Sequence, residues 1–387
     1  MTKTNSLHLE VISPYNLDMR IGIDCRLPYY QGGGISKYCQ LLVKSLATLD
    51  RENEYVIFHS RKDTKTYLPK SGSNFRRVNL ATPCHHRFER WSLGIELLRQ
   101  SLDAMHSPDF IPPIFGADRH IITVHDLNFI HYPEFLTPGS RRYYNKQINW
   151  AVKKADHVIA DSYHTRDDLI SILAVDPLKI TTIHLAADPL FSTIPAPEEI
   201  EATLKRYELP NDFLLFVGTL SPRKNLNTLV KSYAQLSSEA AVELPLVLVG
   251  SKGWLYGEIF QQIENLGISN RVVFIDAVSD LELVHLYRSA SMLAMPSYYE
   301  GFGLPVLEAM NCGCPVLASD RSSLPEIAGD AAIFVDPDDV DGWSQAILSV
   351  LSNADLREDL VEAGYERSNH FSWMRTAEQT RGVYLQV

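Results

Sequence analysis

The segment Tyr298–Pro315, YYEGFGLPVLEAMNCGCP, holds two glutamates, Glu300 and Glu308, with seven residues between them. Glu300 follows an apolar run ending near Met295 and precedes Gly301-Phe302-Gly303, so it belongs to a loop at a strand end. Pro305 suits the first residue of a helix, where its missing N–H leaves nothing unpaired, and Gly313 suits that helix's C-terminal end. The spacing predicts Glu308 in the first turn. One carboxylate then hangs in the loop and the other projects from the helix start. Both lie beside free backbone N–H groups that attract anionic or polar ligand oxygens. The glycines let a ligand approach the backbone closely. First-turn acids also compensate a helix dipole with no ligand at all, and the two residues alone leave both readings open.

Three further segments have residues suited to chemistry. In Phe213–Asn225, FLLFVGTLSPRKN, a strand ends at Gly218 and Arg223-Lys224 occupy the loop before the next helix. Two cations there can neutralise charge on a departing diphosphate, arginine bidentately and lysine as a point charge; an exposed basic turn is the plainer alternative. Gln31–Lys37, QGGGISK, has Lys37 where a dinucleotide fingerprint needs glycine, and it lacks the P-loop pattern. Its glycines, Gly33 and Gly34 foremost, can still turn N–H groups towards a phosphate or simply make a turn. In Thr123–Leu127, TVHDL, His125 and Asp126 stand where a strand leaves its sheet. Cys312 and Cys314 form C-x-C without further ligands at suitable spacing, so they read as small packing residues and no metal site is expected.

Those loops need strands to carry them. Short apolar runs recur at Met19–Asp24, Tyr55–Phe58, Ala104–His106, His120–Val124 and His157–Ala160. A second series follows at Phe213–Val217, Leu246–Val249, Val272–Ile275, Met292–Met295, Pro315–Ala318 and Ala332–Val335. Amphipathic stretches such as Ile35–Leu49, Arg141–Lys154, Asn225–Leu236 and Leu281–Ser289 intervene. The pattern predicts an α/β chain of two doubly wound, Rossmann-like domains. An extension over 1–18 precedes them, the domains cover 19–190 and 191–370, and a helix over 371–387 packs back on the first. Ala187–Pro197, with three prolines, suits the connection between them. Ligands of such sheets sit beyond the carboxyl ends of the strands, which directs attention to the loops after Asp24, Val124, Val217, Val249 and Met295.

Length and composition fit this organisation. The 387 residues are 45% hydrophobic, enough for two cores. Five scattered cysteines argue against a disulfide framework, no apolar run reaches the ~20 residues of a membrane span, and Met1–Asp18 lack a signal-like apolar core. A cytoplasmic protein is expected. Bases slightly outnumber acids over residues 1–192, whereas acids outnumber bases about two to one over 193–387, giving a net charge of −11. That acidic half argues against nucleic acid as partner, while the basic half suits an anionic acceptor or membrane surface. In His85–Gln100, Phe88, Trp91, Ile95 and Leu98 form one helical stripe with Arg87, Arg90 and Arg99 elsewhere. A core-facing helix with a solvated basic side is the commoner arrangement; a helix lying on lipid-bearing acceptors, at the inner membrane surface, is the other.

The words GFGLPVLEAM, CGCPVLASD and SLPEIAGDAAIFVDP, sustained from Tyr298 to Pro337, resemble the signature of the GT4 family of retaining GT-B glycosyltransferases, which contains bacterial mannosyl- and glucosyltransferases. The resemblance extends over most of the chain, with Met1–Asp18 and Arg61–Gln100 outside it. It implies a GT-B fold, two Rossmann-like domains facing across a cleft, with donor in the second and acceptor in the first. Glu308 would take the ribose hydroxyls of a nucleotide sugar, and Glu300 with the backbone about Phe302, Gly303 and Leu304 the hydroxyls of the transferred sugar. Gly218, Arg223 and Lys224 fill the family's G-x-x-x-x-[RK]-K-[NG] pattern and would hold the diphosphate. Gly33 and Gly34 would close over its phosphates, and His125 with Asp126 would lie near the reacting carbon. The family further implies transfer without a metal ion or other cofactor and with retention, a donor phosphate oxygen taking the acceptor's proton. A hexose passes to a polysaccharide or lipid-linked saccharide, with UDP-glucose the first donor expected and GDP-mannose the second. A non-catalytic glycan- or nucleotide-binding scaffold is the competing class, and a nicotinamide dehydrogenase lacks its fingerprint.

Overall fold

A computed structural model describes residues 19–30, 32–68, 74–136, 138–239, 244–251 and 257–386. The expected extension over 1–18 lies outside the described residues, as do Gln31 and Val387. Among the described residues the strands form two wholly parallel sheets. The first contains β1 (Arg20–Asp24), β2 (Glu54–Ser60), β3 (Phe75–Leu80), β4 (Leu102–Ser107), β5 (Ala117–Val124), β6 (His157–Ala160) and β7 (Ile180–Thr182), ordered β3-β2-β1-β4-β5-β6-β7. The second contains β8 (Leu214–Val217), β9 (Leu246–Val249), β10 (Val272–Ile275), β11 (Met292–Met295), β12 (Val316–Ser319) and β13 (Ile333–Val335), ordered β10-β9-β8-β11-β12-β13.

The central strands are continuous apolar runs because helices cover both faces of each sheet. LLFV of β8, LVLV of β9 and MLAM of β11 are buried throughout. Two strands lack that signal. β3, FRRVNL, is an edge strand whose middle residues are half-buried, and β7 is a three-residue edge strand, ITT. Neither makes a run that the sequence pattern could reveal. The order reverses between β1 and β4 in one sheet and between β8 and β11 in the other. Such a switch point opens a crevice beyond the strand ends, here at Asp24 and Ser107 and at Val217 and Met295.

The helix Trp373–Gln386 packs on the helix Gly34–Leu49 of the first layer. Tyr384 meets His106 of β4 at 2.7 Å from its hydroxyl to Nδ1, and the second ring nitrogen meets Thr123 Oγ1 at 2.8 Å. The connecting segment is anchored by Phe191, which is fully buried in the core.

The helix within His85–Gln100 corrects an expectation. It spans Glu89–Leu97 and buries Glu89, Leu93, Gly94 and Leu97, while Phe88, Trp91, Ile95 and Leu98 are 56–61% exposed. The core-facing reading of that stripe fails because the opposite side fits the sheet. Leu93 and Leu97 join Val56, Phe58, Leu102 and Met105, Gly94 lies against Phe115 where a Cβ would come within 3.0 Å, and Glu89 binds the buried Arg26 at 2.9 Å.

Candidate active site

Arg223 and Lys224 lie in a short turn, Pro222–Lys224, after β8, and Asn225 closes it at φ 52. Asn225 Nδ2 donates to Pro337 O at 2.6 Å, and Tyr298 N donates to Arg223 O at 2.9 Å, so the basic turn is tied to the loop after β11. Glu300 is held in that loop by Ser322, whose Oγ accepts from its N–H at 2.8 Å. Ser323 Oγ bridges the carbonyls of Glu300 and Phe302 at 2.9 Å each. Two neighbouring switch-point loops thus bring the three charges together. Lys224 Nζ donates to Glu300 Oε1 at 2.6 Å, and Arg223 Nη1 donates to Glu300 Oε2 at 3.2 Å and to the Tyr299 carbonyl.

All three side chains are largely buried, so their charges are held by each other. Burial would raise the Glu300 pKa, but Lys224 and Arg223 outweigh it and hold the carboxyl down at about 2. Burial and Arg223 lower the Lys224 pKa against the pull of Glu300. The Arg223 pKa is raised: burial opposes this, and Glu300 and Asp126 prevail. Gly218, at φ 152, leaves the Lys224 stem free to pass, since a Cβ there would stand 3.3 Å from its Cε.

His125 and Asp126 follow β5 and reach this cluster from the first domain. The contact is close: a Cβ on Gly301 would lie 2.1 Å from the His125 carbonyl oxygen, so only glycine fits there. The His125 ring is engaged at both nitrogens, Nδ1 with Asp161 Oδ2 and Nε2 with Pro108 O at 2.8 Å. Burial would lower the pKa of this imidazole, but Asp161 outweighs it and raises it. Asp126 caps the next turn, accepting from Asn128 N at 3.0 Å.

Glu308 stands apart from this cluster. The helix spans Leu304–Asn311 with Gly303 as its N-cap at φ 99, so Glu308 falls in the second turn, not the first. The capping position is set by Gly303, whose positive φ starts the helix at Leu304, one residue earlier than a helix with Pro305 first, and this moves Glu308 one place further in. Glu308 is buried and its Oε2 accepts from Tyr287 Oη at 3.0 Å. Burial raises its pKa, partly offset by Lys37 and Tyr287. Phe302 is buried against His184 and Phe371, so it offers a ligand its backbone alone, and half-buried Leu304 opens the helix. Across the cleft, Gly33 caps the helix Gly34–Leu49 at φ 110, and a Cβ on Gly33 or Gly34 would meet no heavy atom within 4 Å. Open space therefore faces this loop.

Sequence reading missed Asp161, Tyr287, Ser322 and Ser323, which orient the site without any local spacing that marks them. It also missed Lys37, discussed below. Cys312 and Cys314 are buried, and Cys312 Sγ donates to the Phe191 carbonyl at 3.3 Å. Burial pushes the Cys312 thiol up to about 12, so both cysteines pack rather than react.

Comparison with known proteins agrees with this geometry. Residues 32–189 match the family described as Glycosyltransferase Family 4, and residues 199–367 match Glycosyl transferases group 1. The first match runs through Arg61–Gln100, which carries no recognisable motif of its own. The chain is 31% identical over 371 residues to O-antigen chain mannosyltransferase B of Escherichia coli, covering 91% of this chain and 95% of that one. Among solved structures it is similar to sucrose-phosphate synthase from Thermosynechococcus elongatus, with TM-score 0.76 and 21% identity over 95% of this chain and 98% of that chain. It is also similar to Anabaena HepE in complex with UDP-glucose, with TM-score 0.72 and 18% identity over 95% and 100% of the two chains. Two parallel Rossmann-like sheets with this arrangement define a GT-B protein. The chain belongs to the GT4 family of glycosyltransferases.

Proposed function

We propose that this glycosyltransferase moves mannose from GDP-mannose to a hydroxyl of a polysaccharide or lipid-linked saccharide, retaining the anomeric configuration and using no metal ion. The observation that carries the reading is the assembly of Arg223, Lys224 and Glu300 at the second switch point, against His125 of the first domain. Arg223 and Lys224 stabilise negative charge as the diphosphate departs. Glu300 and the backbone at Phe302, Gly303 and Leu304 hold the sugar hydroxyls, Glu308 the ribose, and Gly33 and Gly34 the phosphates. Gly218 clears the floor beneath them, and Asp126 steadies the loop that presents His125 to the sugar. UDP-glucose came first among donors on sequence grounds; the name of the mannosyltransferase relative, matched over nearly the whole chain, supports mannose instead.

The same geometry supports a route for the proton. Glu300 is ion-paired and His125 has both nitrogens engaged, so each is a poor general base. The acceptor hydroxyl attacks C1 from the face the diphosphate leaves; its proton passes to the departing phosphate oxygen as the C1–O bond breaks. A closed cleft excludes water from this step.

The acceptor enters from the first domain, where a groove of about 740 Å³ is lined by Arg141, Arg142 and Lys146 with Glu134. This basic lining suits an anionic acceptor. Among the described residues no helix is long and apolar enough to cross a membrane. The exposed Phe88, Trp91, Ile95 and Leu98, with Arg87 and Arg99 exposed beside them, suit peripheral contact with an anionic, cytoplasm-facing lipid surface.

Thermal shift with GDP, UDP, ADP and CMP tests the donor. GDP at about a hundred times its dissociation constant should stabilise by roughly 2.7 kcal/mol, and transfer from GDP-mannose should persist in EDTA with a product of unchanged anomeric configuration. Selective stabilisation by UDP would replace mannose by glucose. An inverted product would overturn retention, and loss of activity in EDTA would overturn metal-free transfer.

A further inference from the structure

One cation crosses the cleft without a role in the roles assigned above. Lys37 lies one turn into the helix Gly34–Leu49, next to the open space at Gly33 and Gly34. Its Nζ donates to Asp280 Oδ1 of the second domain at 2.7 Å and stands 5.6 Å from the centre of the Phe191 ring. Burial would lower the pKa of this ammonium, but Glu308, Asp280 and Asp188 prevail and raise it. Phe191 packs in turn on Tyr287, with ring centres 5.9 Å apart, and Tyr287 donates to Glu308, so a chain of contacts joins Lys37 to the carboxylate read as the ribose acceptor.

The partnership with Asp280 does not explain this placement. Asp280 is the first residue of the helix Asp280–Ser289, whose start is already capped by Ser279 and Glu282. The pair is partly exposed, at 31% and 46% for the two side chains, and such pairs add little to stability. Asp280 holds the ammonium across the cleft, and a diphosphate entering there competes with that carboxylate for it. Arg223 and Lys224 are shared with Glu300 at the other end. A donor spanning Glu308 and the glycine loop needs a mobile cation between them, and a lysine on a flexible four-carbon stem is one.

We propose that Lys37 is a donor-binding residue supplied by the acceptor domain: when a nucleoside diphosphate lies between Gly33–Gly34 and Glu308, its ammonium leaves Asp280 and takes a phosphate oxygen. The bound diphosphate thereby replaces Asp280 as the partner of Lys37 across the cleft. The assignment rests on the reading of Glu308 as the ribose residue.

Calorimetric titration of the full chain with guanosine, GMP and GDP tests it, with the uridine series in parallel. Lys37→Met should weaken the diphosphate about ten-fold or more, the loss of a charged hydrogen bond, and leave the nucleoside within about two-fold. Lys37→Arg should retain most of the diphosphate affinity, and Asp280→Asn should not lower it, because it releases the lysine. Equal loss in Lys37→Met and Asp280→Asn, or equal loss for nucleoside and diphosphate, would make Lys37 an interdomain strut and overturn the proposal. A wild-type chain that binds no nucleotide overturns both this assignment and the donor site. If Glu308→Ala leaves nucleoside affinity intact while Lys37→Met weakens the diphosphate, the ribose reading alone falls.

Discussion

Lys224 and Glu300 are each other's solvent. Taking a single charge out of water is expensive, and removing one partner of a buried pair strands the other. Lys224→Met is therefore expected to destabilise the protein by up to about 3–5 kcal/mol, since only Arg223 then pairs with Glu300, with part of the loss recovered in the Lys224→Met, Glu300→Gln double variant, where Arg223 keeps the Tyr299 carbonyl and Asp126. Chemical denaturation of the four proteins measures this, and a double variant no more stable than Lys224→Met would refute it. The pair also fixes an acid dependence. Because the folded Glu300 carboxyl is held at about 2, below its ordinary 4.5, its contribution is fully present above 4.5 and is lost as pH falls towards 2. Glu300→Gln should flatten the stability curve across that window. Turnover separates this structural role from chemistry: Lys224→Arg keeps a charge, so a large loss in kcat with little loss in stability would locate the lysine's function in the transition state.

Elements decide what such residues meet. The loop after β11 is not shaped by its glycines alone; Ser322 and Ser323, from the loop after β12, take up its N–H and carbonyl groups. The segment SLPEIAGD reads in sequence as a continuation of a motif, yet its Ser323, with Ser322 just before it, acts on a loop some twenty residues earlier. The helix Glu89–Leu97 gives the opposite lesson. Its most hydrophobic stripe faces outward because a smaller side, centred on Gly94, fits the sheet more closely. Arg90 lies over the Trp150 ring at 4.2 Å and ties this helix to Pro138–Lys154, which carries the basic groove. The helix with the apolar ridge and the helix with the basic groove are thus neighbours in the first domain. The protein should float with anionic liposomes, and Phe88→Ser with Trp91→Ser should abolish flotation while leaving the melting temperature nearly unchanged, since both side chains are exposed. Wild-type protein remaining at the bottom of the gradient would remove the membrane from the proposal.

At the scale of the whole molecule the two domains are closed on each other. Tyr299 Oη donates to Asp168 Oδ2 at 2.7 Å and accepts from Leu127 N at 3.2 Å, and Ser162 Oγ donates to the Gly301 carbonyl at 2.7 Å. Glu326 reaches from the second domain to the start of the helix Tyr163–Leu173, accepting from Tyr163 N at 2.8 Å and His164 N at 3.2 Å, with His184 at 2.6 Å. A carboxylate at a helix N-terminus meets both free N–H groups and the positive end of the dipole. Glu326→Ala should shift the population towards an open form, seen as a larger radius of gyration in solution scattering and a raised donor KM. An unchanged radius would show that Tyr299 and Ser162 suffice for closure.

Much of this architecture is legible in the order of residues. Buried strands must be apolar on both faces, so their runs reveal the central strands of both sheets, and the loops after β1, β5, β8 and β11 are found by the same rule. Arg223, Lys224 and Glu300 are legible as charged residues in loops at strand ends, where ligands of parallel sheets bind, and Glu308 by its spacing from Glu300. Edge strands β3 and β7 were hidden, having only one neighbour and little apolar content. Long-range packing sets the rest: Glu308 lies in the second turn beside Tyr287, His125 is clasped by Asp161, the aromatic stripe faces out, and Lys37 crosses the cleft. Each of these depends on groups far apart in the chain, whose meeting is fixed by packing and not by any local period.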